Sequence, residues 1–183
     1  SDIPQYLEDG VVDIAIIGEN VLAEKRSKVF VLEKLGFSKC RLSLALPKAI
    51  DYQGIESLEG KKIATSYPNT LQKYLDERNV TADIHLISGS VEIAPNIGLA
   101  DAICDIVSSG STLFKNGLEE KDILLKSEAC IAANMQSMED KKEWIDEIIF
   151  RVQSVLKGRD HKYILFNIPN HQIASVSKIL PVL

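Results

Sequence analysis

The chain has 183 residues, 45% hydrophobic, 26% charged and 6% aromatic, enough for one generous domain or two small ones with a buried core. Its 26 acidic residues outnumber the 21 Lys and Arg, and the formal net charge of -5 supplies no electrostatic reason for nucleic acid or an anionic membrane as the main partner. Apolar stretches fall well short of the roughly 20 residues of a membrane span, and the opening SDIPQYLEDG lacks the basic start and apolar centre of a secretory signal, so a cytoplasmic protein is expected.

The opening reads like the interior of a helix and carries no initiating Met, so a fragment is expected. Val12 to Ile17 (VDIAII) is a short, β-branched run ending in Gly18, which suits a strand buried on both faces of a parallel sheet. Strand-like runs follow at Val29 to Leu35 and Arg41 to Leu46, and the polar, Gly-containing stretch Pro47 to Gly60 marks a lobe boundary. Next come a strand at Lys62 to Thr65 and a helix at Pro68 to Glu77, opened by a first-turn Pro. Further strands are expected at Ile84 to Ile87, Ala102 to Val107, Ile123 to Leu125 and Ala129 to Ala132. A long helix from Glu139 to Lys157 places Trp144, Ile148, Val152 and Val155 on one face and ends at Gly158. From His161 to Leu180 one strand, Tyr163 to Phe166, and one helix follow, too little to close a core of their own. Strands separated by helices imply crossovers, hence an α/β fold with mostly parallel sheets. Cys40, Cys104 and Cys130, odd in number and set in apolar surroundings, read as reduced buried thiols; neither a disulfide framework nor a metal site is expected.

The window Ser88 to Leu113 carries the chemistry. Its last third is a strand, then Ser108-Ser109-Gly110-Ser111-Thr112, then the start of a helix. Backbone N–H groups at such a loop are unpaired, Gly lets the main chain approach an anion, and four hydroxyls add neutral donors, so the loop can cradle a phosphate monoester. Taken alone it reads equally well as a helix cap. Asp105, at the C-terminal end of an apolar strand where open α/β sheets place ligands, shifts the balance, because an acid beside a phosphate makes sense if it bonds sugar hydroxyls or helps hold Mg²⁺. Glu92, in its own turn ahead of Pro95 and Gly98, is a second acid for the same ribose, with a first-turn helix acid as its plainer alternative. Asp101 falls at the start of the strand, away from the ligand end, and is left out of the site.

Read together, Glu92, Gly98, Ala100, Ile103, Asp105, Ile106, Ser109, Gly110, Thr112 and Leu113 resemble the spaced signature of ATP phosphoribosyltransferases, which open histidine biosynthesis. DGVVDIAIIGENVL (Asp9 to Leu22), CRLSLALP (Cys40 to Pro47), GKKIATSYPNTLQKYL (Gly60 to Leu75) and KYILFNIP (Lys162 to Pro169) are similar to family segments in family order. The resemblance implies a glycosyltransferase that moves the phosphoribosyl group of phosphoribosyl pyrophosphate to N1 of ATP with Mg²⁺ as cofactor, releasing pyrophosphate. In it, Ser108, Ser109, Gly110, Ser111 and Thr112 hold the 5-phosphate, while Glu92 and Asp105 face the ribose and steady the cation that develops as pyrophosphate leaves. Gly18, Glu19, Asn20 and Tyr67 are its ATP contacts, with Arg41 ranked below them. Each keeps an alternative: a strand-to-helix turn for Gly18 to Asn20, a packing role for Tyr67, a carboxylate partner or solvation for Arg41.

The implied fold has two lobes of the type II periplasmic-binding-protein kind with the active cleft between them. Residues 1–46 and 126–157 form the first lobe, 47–125 the second, and 158–183 the beginning of a ferredoxin-like domain that binds histidine for feedback inhibition. A basic motif expected upstream of Ser1 is missing, Ser109 stands where Thr is frequent, and Asn96 where many relatives carry Arg, removing a charge that would help hold pyrophosphate. A homo-oligomer, dimer or hexamer, is implied. The competing reading is a bilobed small-anion-binding module without chemistry; two acids beside the anion count against it.

Overall fold

Two β-sheets, each assembled from strands distant in sequence, organise the computed structural model, which describes residues 2–159, 161, 162, 165 and 167–179. The chain opens with α1 (Ile3–Glu8), β1 (Ile14–Gly18), α2 (Glu19–Lys25) and β2 (Phe30–Lys34). It continues through β3 (Cys40–Pro47), β4 (Lys62–Thr65), α3 (Pro68–Asp76), β5 (Asp83–Leu86), β6 (Ala102–Val107), α4 (Ser111–Lys115) and β7 (Leu118–Ser127). It then returns with β8 (Ala129–Ala133), α5 (Met135–Asp140), α6 (Lys142–Arg159) and α7 (Ile173–Val176). Among the described residues no helix is long and apolar enough to cross a membrane.

The first sheet has the order β1-β8-β2 and is antiparallel throughout. The second has the order β5-β4-β6-β3-β7, with β4 parallel to β5 and β6 but β3 antiparallel to β6 and β7. The α/β class stands, but the sheets are mixed where mostly parallel ones were expected. The reason is the path of the chain: β3 enters the second sheet from the first and β7 leads back, so these two strands run in opposite senses. Apolar runs report burial, not strand direction. Because β3 pairs within the five-stranded sheet, the crossings fall at 35–39 and at 128, against an expected lobe of residues 1–46 and 126–157.

Burial follows position in each sheet. β8, the central strand of the first sheet, is buried at all five residues, whereas β1 is an edge and leaves Ile16 61% exposed, contrary to burial on both faces. In the second sheet the period-two alternation of β3 sends Leu42, Leu44 and Leu46 to one face, where they meet Leu71 and Leu75 of α3 together with Ile63 and Cys104. Ala45, Ala64, Ile103 and Val107 take the other face, against Val91, Ala94, Leu113 and Leu118. Each fully buried leucine contributes about 2 kcal/mol of apolar burial. α3 starts where expected, with Pro68 in its first turn and its Leu71 and Leu75 one turn apart. Cys104 and Cys130 are buried free thiols and Cys40 is half-buried.

Chain contacts divide the protein into Ser1–Ile149 and Phe150–Leu183. The long helix forms but runs through Gly158 to Arg159, and α5 precedes it as a separate turn. Its expected apolar face is not the buried one: Trp144 and Val155 are each 72% exposed and Ile148 41%, while Ile145 is buried. A one-residue offset turns a helix by about 100°, so spacing alone does not say which side meets the core. The second unit holds the rest of α6 and α7; the strand expected at Tyr163 to Phe166 lies outside the described residues at all but Leu165.

Candidate active site at the end of β6

Asp105 sits half-buried near the C-terminal end of β6, in register with Ser43 of β3. Burial pushes its carboxyl up, the Ile106 N–H that donates to its Oδ1 at 2.8 Å works the other way, and the charge of Glu92 raises it further. Glu92 lies on the single helical turn Val91–Ile93, which Val91 pins into the core at 1% exposure. The two acids singled out from sequence are therefore near enough for the charge of one to act on the other.

Directly after β6, Ser108 and Ser109 are exposed and Gly110 takes a left-handed conformation, φ +77°, as the residue that opens α4. That conformation is nearly free only for Gly. Leu113 buries against the core and anchors the short helix, leaving Ser111 and Thr112 at the surface. The Ser109 and Ser111 hydroxyls come within 3.0 Å of each other, so the loop's donors converge. Arg41 meets this loop from β3: its Nη1 donates to the Ser108 carbonyl at 3.2 Å, while Nε and Nη2 donate to the two carboxylate oxygens of Glu120 at 2.5 Å. Of its alternatives, the carboxylate partner is the one formed.

The remaining sequence-derived residues meet at the junction of the two sheets. Gly18 precedes α2 in an extended conformation, and a Cβ there would collide with the side-chain oxygen of Asn20. Asn20 is buried; its N–H donates to Ser127 Oγ at 2.9 Å, its Oδ1 accepts from that hydroxyl, and its Nδ2 donates to Tyr67 Oη at 3.1 Å. Burial raises the Tyr67 phenol, the Asn20 bond opposes this, and the Asp105 charge adds to it. The buried Thr65 hydroxyl holds Tyr67 in place, accepting from its N–H at 2.9 Å and donating to the Cys104 carbonyl at 2.6 Å. Glu19 pairs with Lys34 at 2.8 Å.

A cavity of about 440 Å³ opens beside Ser108, lined by Lys34, Lys39, Arg41 and Lys126 among others, with Glu19 and Glu128 at its wall. Lys34, Lys39 and Lys126 escaped the sequence reading because no local motif joins them; the signal lies in strand pairing, which sets Lys126 opposite Arg41. Asp101 bonds the Lys62 N–H at the far end of β6, clear of the site as expected. Asn96 donates to the Asn116 carbonyl after α4. Among the described residues no cluster of three or more His, Cys, Asp or Glu is placed to hold a metal ion. A carboxylate such as Asp105 or Glu92 suits an ion that keeps one or two carboxylates and draws its other ligands from a substrate's phosphates, as Mg²⁺ does.

The family model described as HisG, ATP phosphoribosyltransferase, matches residues 1–154. An ATP phosphoribosyltransferase of Cytophaga hutchinsonii is 57% identical over 180 residues, covering 98% of this chain and 63% of the relative. The chain thus spans under two thirds of that curated relative's length. A solved ATP phosphoribosyl transferase (HisG:HisZ) complex from Thermotoga maritima aligns at 34% identity with a TM-score of 0.77, covering 86% of this chain and 76% of its own. Holo ArgBP from T. maritima aligns at 15% identity with a TM-score of 0.57, covering 98% of this chain and 74% of its own, and shares the fold alone. That fold is the two-lobed type II architecture of periplasmic binding proteins.

Proposed function

The chain belongs to the ATP phosphoribosyltransferase family, and from that premise we propose that the protein transfers the phosphoribosyl group of phosphoribosyl pyrophosphate to N1 of ATP. The observation that carries the proposal is the half-buried Asp105, within reach of the charge of Glu92 and separated by two residues from the hydroxyl loop 108–112. One site then offers neutral donors for a phosphate and anionic groups for a sugar.

In the reaction the bond from ribose C1 to pyrophosphate breaks with its electron pair leaving on the pyrophosphate, and adenine N1 donates the pair that forms the new C1–N bond. Positive charge develops on the sugar ring in between. A carboxylate poorly served by water interacts with that cation more strongly than a solvated one, so Asp105, with Glu92, favours the transition state over the neutral ground state. Ser108, Ser109, Gly110, Ser111 and Thr112 hold the 5-phosphate and orient the sugar. The lysine-lined cavity beside Ser108 has charge suited to a polyphosphate. Gly18, Glu19, Asn20 and Tyr67 form the nucleotide side of the cleft, with Tyr67 presenting its ring. Mg²⁺, when bound, neutralises pyrophosphate charge and would be held by Glu92 and Asp105 together with the substrate.

Histidine feedback through a regulatory domain beginning at 158–183, and assembly into a homo-oligomer, belong to the same proposal. The second reading is a bilobed module that closes on a small anion without chemistry, since the fold alone, shared with holo ArgBP, does not require catalysis. The test is phosphoribosyl-ATP formation from ATP, phosphoribosyl pyrophosphate and Mg²⁺, with and without histidine, on this chain and on a version extended to the relatives' full length. Turnover in the extended version supports the transferase. Ligand binding without turnover in either supports the module.

A further inference from the structure

We infer that Glu120 is a positioning residue for the phosphate-holding loop, acting through Arg41; the inference rests on the phosphoribosyl-transfer reading of that loop. β3 lies between β6 and β7, with Arg41 in register with Val107 and Ser43 with Asp105 on the β6 side. Glu120 reaches over from β7. Its two oxygens take the Arg41 fork at 2.5 Å each, and Oε1 also accepts from the buried Ser43 hydroxyl at 2.6 Å. A guanidinium held by both oxygens of one carboxylate is fixed in plane, not merely in charge. Its remaining nitrogen is then aimed at the Ser108 carbonyl, 3.2 Å away.

The consequence for the loop follows from peptide planarity. The Ser108 carbonyl and the Ser109 N–H belong to one trans peptide and point in opposite directions. Holding the carbonyl toward Arg41 therefore turns the Ser109 N–H away from it and sets the first backbone donor of the cradle. Both Glu120 oxygens are taken by Arg41 and Ser43, and Arg41, with its charge already answered by a carboxylate, acts here as a clamp. The side chains are only 29% and 24% exposed, so the pair is sheltered from exchange with water. Arg41 holds the Glu120 carboxyl below the usual range, which keeps the clamp ionised at neutral pH.

The experiment uses Glu120→Gln and Arg41→Lys in the full-length protein. The first keeps the shape but loses the charge; the second keeps the charge but cannot bond Glu120 twice and Ser108 once. The KM for phosphoribosyl pyrophosphate and the Kd for ribose 5-phosphate, titrated by calorimetry, are each expected to rise about tenfold in both variants, while in Glu120→Gln the KM for ATP changes by less than about twofold. The double variant should lose no more than either single one, because both act through one clamp. Unchanged or tighter ribose 5-phosphate binding in the variants overturns the inference, as does a loss confined to Tm and kcat. If Glu120→Gln fails to fold, Arg41→Lys alone decides by the same criteria. Failure of the unaltered protein to bind ribose 5-phosphate instead overturns the reading of the loop itself.

Discussion

Glu24, on α2, caps α3 across the junction of the two sheets: its Oε2 accepts from the Thr70 N–H at 3.0 Å and from the Thr70 hydroxyl at 2.8 Å. The Asn69 N–H donates to the other oxygen at 3.0 Å, and the Asn69 amide to the Glu24 carbonyl. A carboxylate from one lobe thus satisfies the free N–H groups that begin a helix of the other. Glu24 is itself buried at 9% exposure, while the donors it serves are only partly covered, so removing its carboxylate loses three hydrogen bonds that water replaces in part. Glu24→Ala is expected to cost about 2 kcal/mol in denaturant unfolding, and Glu24→Gln about half as much. Equal stability of all three proteins would show that the cap does not tie the lobes.

Asp105→Asn separates stability from activity. Burial and Glu92 raise this carboxyl in the folded protein. The unfolded chain ionises first as pH climbs through the ordinary aspartate value of about 3.9, so the fold loses stability from there until the folded group ionises as well, and carries the full deficit above that. The Asn variant should therefore melt above the parent at pH 7, with the difference shrinking toward pH 4, and should lose at least about a hundredfold in kcat/KM. Turnover equal to the parent's would remove Asp105 from catalysis.

Glu120 has the opposite sign. Arg41 lowers its carboxyl, so the stability it supplies is present above the usual glutamate value of about 4.3 and disappears as pH falls through the folded value. The parent should lose more Tm between pH 5 and pH 3 than Glu120→Gln does. Parallel melting curves in that window would mean the pair contributes nothing to the fold.

Thr65→Val keeps the volume of a fully buried side chain but strips the Tyr67 N–H and the Cys104 carbonyl of their partner. A loss of about 2 kcal/mol, or about 6 °C in Tm, is expected. Thr65→Ser should retain the bonds, and with them the ATP KM that Thr65→Val raises by releasing Tyr67. An unaltered ATP KM in Thr65→Val would separate Tyr67 from the nucleotide.

Thiol labelling distinguishes the three cysteines. Burial pushes the Cys104 and Cys130 thiols well up, and both lie within the sheets. At pH 8 a maleimide should modify Cys40 alone in the folded protein and all three after denaturation, as read by mass spectrometry. Rapid native labelling of Cys104 would contradict the packing of β6 against α3.

Much of the candidate site could be marked out in the sequence because it is local. Asp105, the loop 108–112 and the start of α4 follow one another without a break, and an apolar run ending in an acid and a Ser-Gly-Ser turn names its own geometry. Glu92 was found from a spaced pattern only thirteen residues upstream of Asp105. Arg41 was recognised, but its partner was not: Glu120 lies 79 residues on, amid the charged run Glu119 to Asp122, with nothing local to mark one acid over the next. Asn20, Tyr67 and Ser127 were likewise scattered, and their bonding to one another depends on where β1, β4 and β7 end.

By itself the sequence determined the α/β class, nearly every strand and the family signature. Those properties rest on side-chain type and short-range spacing, which are written along the chain. Strand direction, the assignment of β3 to the second sheet, the buried side of α6 and the clamps Glu120–Arg41 and Glu24–Thr70 were decided only by the tertiary structure. Each depends on which distant segments share a sheet or a junction, and that choice is made by the burial of the whole chain at once.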